Sequence, residues 1–100
     1  MKRIYDAAFE MTTGSEHWHL GRFWWVENGY TGQWTREEAY DYVRNHAQGD
    51  VYVAEGAYSV TVYAYHNQQG THWIQTEADG VRRDNLTELA ERHRQGLPNQ

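Results

Sequence analysis

The sequence predicts an α+β domain: a small antiparallel β-sheet of two hairpins with two α-helices on one face, in the order β-β-α-β-β-β-α. Three observations carry that expectation. Residues 58–66 alternate, Tyr58, Val60, Val62 and Ala64 against Ser59, Thr61, Tyr63 and Tyr65, which is the period of a strand with two distinct faces. Thr35-Arg36-Glu37-Glu38 has the form of a capping box, in which the Thr35 hydroxyl accepts from the Glu38 amide and the Glu38 carboxylate reaches back to the Thr35 amide. The chain has 100 residues, 39% of them hydrophobic, 15% aromatic and only one proline. That is enough for one core and not for two, so residues 1–100 read as a single domain.

Taken in order, Ile4 to Met11 alternate, with Tyr5, Ala7, Phe9 and Met11 on one side, and form the first expected strand. Thr12-Thr13-Gly14-Ser15 is a turn cluster, and Glu16 to Val26 again reads as extended, closing a hairpin. Alternation puts Trp18, Leu20, Trp24 and Val26 on one face of this second strand and Phe23 and Trp25 on the other, so neither face is polar. Asn28 to Gly32 punctuates the chain before a helix that starts at Arg36. Its stripe is Ala39, Val43 and Ala47 beside Tyr42 and His46, and Gly49 is placed to take its left-handed terminus. Strands follow at Val51–Ala54 and Tyr58–His66. The polar turn Asn67-Gln68-Gln69-Gly70 leads into Thr71–Thr76, a second hairpin. Gly80 allows the positive φ of an Asp-Gly turn, and Asp84 or Asn85 caps a last helix with Leu86, Leu89, Ala90 and His93 on one stripe.

The second half resembles a bacterial family described as domain of unknown function 3892. The residues that carry the resemblance are the helix and glycine of Glu38 to Gly49, then Val51-Tyr52-Val53, Val60-Thr61-Val62 and Gly70. Trp73-Ile74-Gln75-Thr76, Asp79-Gly80 and Asp84-Asn85-Leu86-Thr87-Glu88-Leu89 complete the set. Gln75 stands where the family has a basic residue, and Ala90 where it has proline. The resemblance implies a small α+β fold and no activity.

Nine Lys and Arg against 14 Asp and Glu give a net charge of −5, the wrong sign for neutralising a phosphate backbone. Without cysteine there is neither a disulfide framework nor a thiolate site. No apolar stretch after Met1-Lys2-Arg3 makes a signal peptide, and no window is long and apolar enough to span a membrane. A cytoplasmic bacterial or phage protein is expected. His17 and His19 share a strand face at the i, i+2 spacing from which two imidazoles reach one metal, with Glu16, His66 or His72 as a third ligand. More ordinary work for these histidines is stacking or facing solvent. Glu77 with Asp79, or Glu37 with Asp41, offers a carboxylate pair, but no nucleophile motif accompanies either. Single-stranded nucleic acid could stack on Tyr63, Tyr65 and Trp73, yet Arg82 and Arg83 alone supply nearby charge.

Five Trp, eight Tyr and two Phe remain to be explained, since two short helices cover only about one sheet face. Tyr and Trp half-exposed with wet polar atoms would be ordinary. An interaction surface of Phe23, Trp25, Tyr63, Tyr65 and Trp73 accounts for more, because such side chains give rigid contact area at small entropic cost. The expected function is therefore a non-catalytic protein-interaction domain, a homodimer or the binder of another protein, with no cofactor. The alternative is a metal- or small-ligand-binding domain built on His17 and His19. Thr35, Glu38, Gly80 and Asn85 have structural roles.

Overall fold

The computed structural model describes residues 1–10, 19–55, 57–76 and 85–96. The elements are β1 (Lys2–Phe9), β2 (Leu20–Glu27), β3 (Tyr30–Thr35), α1 (Arg36–Asn45), β4 (Val51–Glu55), β5 (Tyr58–His66), β6 (His72–Thr76) and α2 (Asn85–Arg94). The α+β class and the two helices are as expected. The sheet is larger: six strands in the order β3-β2-β1-β4-β5-β6, mixed because β1 and β4 run parallel. β3 is the strand that the sequence reading lacked. Asn28 at φ 50° and Gly29 at φ 84° make a two-residue turn with both central residues left-handed, the geometry that matches strand twist and favours Asn-Gly. The punctuation before α1 is thus a hairpin, and the order is β-β-β-α twice over.

Pairing between β1 and β2 slips twice, between Ile4 and Asp6 and between Ala8 and Phe9. Tyr5 is the extra residue of the first bulge and Gly21 of the second. Each extra residue resets the alternation. Ile4 and Ala7, three apart, are therefore both buried, as are Leu20 and Phe23. Simple alternation had put Leu20 and Phe23 on opposite faces. The core unites these with Trp34, Ala39, Tyr40, Val51, Val53, Val62 and Ile74, and with Leu86 and Ala90 of α2.

The capping box of α1 is formed as predicted, Glu38 N donating to Thr35 Oγ1 at 3.2 Å and Thr35 N to Glu38 Oε1 at 2.9 Å. The helix stops at Asn45, short of Ala47. Asn45 Nδ2 donates to the Asp41 carbonyl and His46 Nδ1 meets the Tyr42 carbonyl, both at 2.7 Å, so side chains take acceptors that another turn would have used. Gly49, at φ 92°, serves instead the turn in which Asp50 N donates to the Ala47 carbonyl. The β5–β6 turn lies where expected, with Asn67 Oδ1 accepting from the Gln69 and Thr71 amides. Gly80, and the side chain of Asn85, lie outside the described residues.

α1 packs on β5 and β6 and also on β2 and β3, and α2 packs mainly along β1. Leu86 and Ala90 of α2 join the same core as Ala39 and Tyr40 of α1. Phe23 and Trp25 face α1, whereas Trp24, by alternation on the other side, is covered by His93 of α2, stacked at 5.2 Å between centroids.

Two substitutions test these assignments in urea melts. Thr35→Ala should cost about 1 kcal/mol by removing the cap. At Gly32 a Cβ would stand 2.3 Å from Trp25 Cζ2, and that ring is pinned beneath Lys2, so Gly32→Ala should cost about 1–3 kcal/mol. An unchanged midpoint for Gly32→Ala would show that the Trp25 ring does not lie over β3.

Candidate interaction face

The five aromatic residues expected on one surface divide into two groups. Phe23 is fully buried, and Trp25 packs against the core with its ring in contact with Trp34 at 5.7 Å; Trp34 in turn stacks on Tyr42 of α1 at 4.8 Å. Phe23 is thus a core residue, closed to a partner, whereas Trp25 is half-buried at the margin of the core. The reason is the register: Phe23 pairs with Trp34 and Trp25 with Gly32, on the side of β2 and β3 that α1 covers.

Tyr63, Tyr65 and Trp73 do come together. Val62 pairs with Thr76, Ala64 with Ile74 and His66 with His72, and this row faces α1, where Tyr40 stacks on His72 at 4.1 Å. The alternate row, Tyr63 opposite Gln75 and Tyr65 opposite Trp73, is turned away from α1. The Tyr65 and Trp73 rings lie 6.2 Å apart and nearly parallel, and Trp73 Nε1 donates to Gln75 Oε1 at 2.8 Å. Because β5 outruns β4, the loop after α1 fills the space beside it, and Gln48 Nε2 donates to the Tyr63 hydroxyl at 2.9 Å. Tyr52 and Thr61, a cross-strand pair, continue the row onto β4. All six side chains are half-buried and none is charged.

At the end of α1 a cleft of about 280 Å³ opens between Val43, His46, Gln48, Val51 and the Tyr63 side chain that Gln48 holds. It lies just below the ordinary range of small-molecule sites. Of the metal candidates, His19 is half-buried and His17 and Glu16 lie outside the described residues. His66 and His72 face each other across β5 and β6, but His72 is engaged by Tyr40 and by Glu37 Oε2 at 3.1 Å. Among the described residues no group of three or more His, Asp or Glu is placed to hold a metal ion. Glu77, Asp79, Arg82 and Arg83 lie outside them.

A family model described as protein of unknown function (DUF3892) matches residues 11–90. The chain belongs to this family. No curated protein and no solved structure matches. The DUF3892 match reaches well before Glu38, where the resemblance in the sequence began, and takes in β2, β3 and α1 as well as the aromatic face.

A charged cluster that sequence reasoning did not find joins Met1 and Lys2, ahead of the matched range, to residues within it. Lys2 Nζ donates to Glu27 Oε1 at 2.7 Å and sits 4.5 Å over the Trp25 ring and 5.0 Å over the Tyr42 ring. The N-terminal amine also pairs with Glu27 and lies 3.8 Å from Asp50, which accepts from the Tyr42 hydroxyl at 2.9 Å. The hydrogen bond from Lys2, with a second from the terminal amine, holds the Glu27 carboxyl down at about 2. The same bond raises Lys2 and the amine above their ordinary values, while burial pushes the Tyr42 hydroxyl up. The carboxyl, lowered from 4.5, stabilises the fold above pH 4.5, and this contribution fades as pH falls towards about 2. The raised amines contribute fully below their ordinary values and lose that contribution in alkali. Glu27→Gln should lower the neutral-pH melting temperature and flatten the acid limb between pH 4.5 and about 2, followed by circular dichroism. An acid limb identical to that of the wild type would remove Glu27 from the account.

Proposed function

We propose that this DUF3892 chain is a non-catalytic protein-interaction domain that takes a protein partner on the face formed by Tyr63, Tyr65, Trp73 and Gln75. In this reading it works in the cytoplasm and needs no cofactor. The observation that supports it most is the uncharged aromatic row on β5 and β6, turned away from α1 in a chain with net charge −5. Depletion of charge with enrichment of Tyr and Trp is the compositional mark of an interface centre. The polar ends are already held, Tyr63 by Gln48 and Trp73 by Gln75, so less rotamer freedom is left to lose on binding.

A selection of peptide ligands from a displayed library tests this. Ligands of the wild type should bind Tyr63→Ala and Trp73→Ala at least about tenfold more weakly, in line with interface aromatics. Asp41→Ala, exposed on α1, should bind them as the wild type does. Ligands indifferent to both aromatic substitutions, or no ligand at all, would count against the face.

A further inference from the structure

Among the described residues, the open edge of β3 is where backbone groups are left to pair. The Asn28–Gly29 turn is closed by Glu27 and Tyr30, which in a two-residue hairpin exchange hydrogen bonds. Alternation then aims the N–H and C=O of Tyr30, Gly32 and Trp34 at β2, and those of Thr31, Gln33 and Thr35 outward. The cap of α1 agrees independently: Thr35 N–H is bonded to the Glu38 carboxylate, so it does not point at β2. β3 ends the strand order, and Thr31 and Gln33 are exposed. Edge strands are ordinarily blunted by charge, proline or a bulge. Tyr30-Thr31-Gly32-Gln33-Trp34-Thr35 has no charged residue and no proline, and its pairing with β2 runs without a slip.

We propose that β3 pairs antiparallel with β3 of a second copy of this chain, about a two-fold axis through Gly32, joining two six-stranded sheets. The symmetry itself selects the register. Residues facing each other must share a sheet face, so the axis passes through a residue rather than between two. Centred on Gly32, Thr31 faces Gln33 of the second copy and Gln33 faces its Thr31. All outward N–H and C=O groups of these residues are then satisfied. Centred on Gln33, Thr31 would face Thr35, whose N–H is already given to Glu38. Gly32 on the axis leaves the closest approach of the two backbones free of side chains. Tyr30, 77% exposed in the single chain, then falls opposite Trp34 of the second copy at a non-hydrogen-bonded position, where facing side chains are closest. The strand's own residues are uncharged, and the Arg22 guanidinium of β2 donates to Gln33 Oε1 at 2.8 Å. This pairing is separate from the aromatic face of β5 and β6.

Sedimentation of the full chain from about 10 µM to about 500 µM should show a reversible dimer, as expected for an edge pairing of modest area. Over the same range the Thr31 and Gln33 amides should slow in hydrogen exchange at least about tenfold, while Gly32 and Trp34, already bonded to β2, do not change. Thr31→Pro removes an outward N–H without touching the β2 ladder and should leave a folded monomer. Were that variant to misfold, the amide measurement on the wild type would still decide. A monomer at every concentration overturns the proposal, whether or not a foreign extended peptide takes the edge. So does a dimer whose Thr31 and Gln33 amides exchange as fast as in the monomer, or a folded Thr31→Pro that still dimerises.

Discussion

The two halves of this sheet meet over two residue pairs, Lys2 with Val51 and Arg3 with Tyr52. A parallel seam that short is weak in backbone terms, and the rest of the structure depends on what reinforces it. Lys2 is that reinforcement. Its main-chain N–H donates to the Asp50 carbonyl just before β4, and its ammonium bonds to Glu27 at the end of β2. Its charge also rests over Trp25 and Tyr42. One side chain therefore touches β2 and α1 while its backbone begins the contact with β4. Charge over two aromatic rings in a partly desolvated place is worth more than the same charge in a surface pair. Asp50 and Tyr42 close the ring of contacts from the helix side.

The aromatic excess resolves through this joint and through the bulges. Tyr5 and Gly21 each displace the alternation by one residue, so β1 and β2 send Ile4, Ala7, Leu20 and Phe23 to a common core. The helix α1 then needs large, flat side chains to fill the distance between the sheet and itself, and three supply them in a row, Trp25 tilted against Trp34 and Trp34 stacked on Tyr42. Gly32 belongs to the same arrangement, because any side chain there would occupy the space of the Trp25 ring. On the other side of β2, Trp24 is covered by His93, itself held by Asp6 Oδ2 at 3.0 Å. The row on β5 and β6 is turned away from α1.

Local signals were legible in the sequence and long-range ones were not. The Thr35 cap, the Asn67 turn and the stripe of α2 depend on residues within a few positions of one another, and each lies where the sequence put it. Asn28-Gly29 is equally local, the preferred dipeptide of a two-residue hairpin, but the short strand it opens runs straight into the capping box seven residues on. The bulges could not have been read from one strand, since they exist only relative to a partner. Their effect was to mislead the alternation argument at Leu20 and Phe23, and with it the assignment of Phe23 and Trp25 to an outer face. Tyr63, Tyr65 and Trp73 came together because β5 and β6 pair without a slip, so parity survives from sequence to sheet. Lys2 gave no signal at all: a lysine at a chain start is ordinarily solvated, and its partners are distant in sequence.

Charge is distributed so that the uncharged surfaces stand out. Acidic side chains line α1 at Glu37, Glu38 and Asp41, sit on α2 at Glu88 and Glu91, and gather around Lys2 at Glu27 and Asp50. Those on the helices keep the chain hydrated and apart from its neighbours, whereas those near Lys2 serve the joint. Neither the β3 edge nor the Tyr63–Trp73 row carries any. The two strand surfaces stand at opposite ends of the sheet. Under the two proposals the edge offers backbone hydrogen bonds and the row offers rigid aromatic area, two different means of binding. Because β3 and β6 are separated by four strands, occupation of one surface need not obstruct the other.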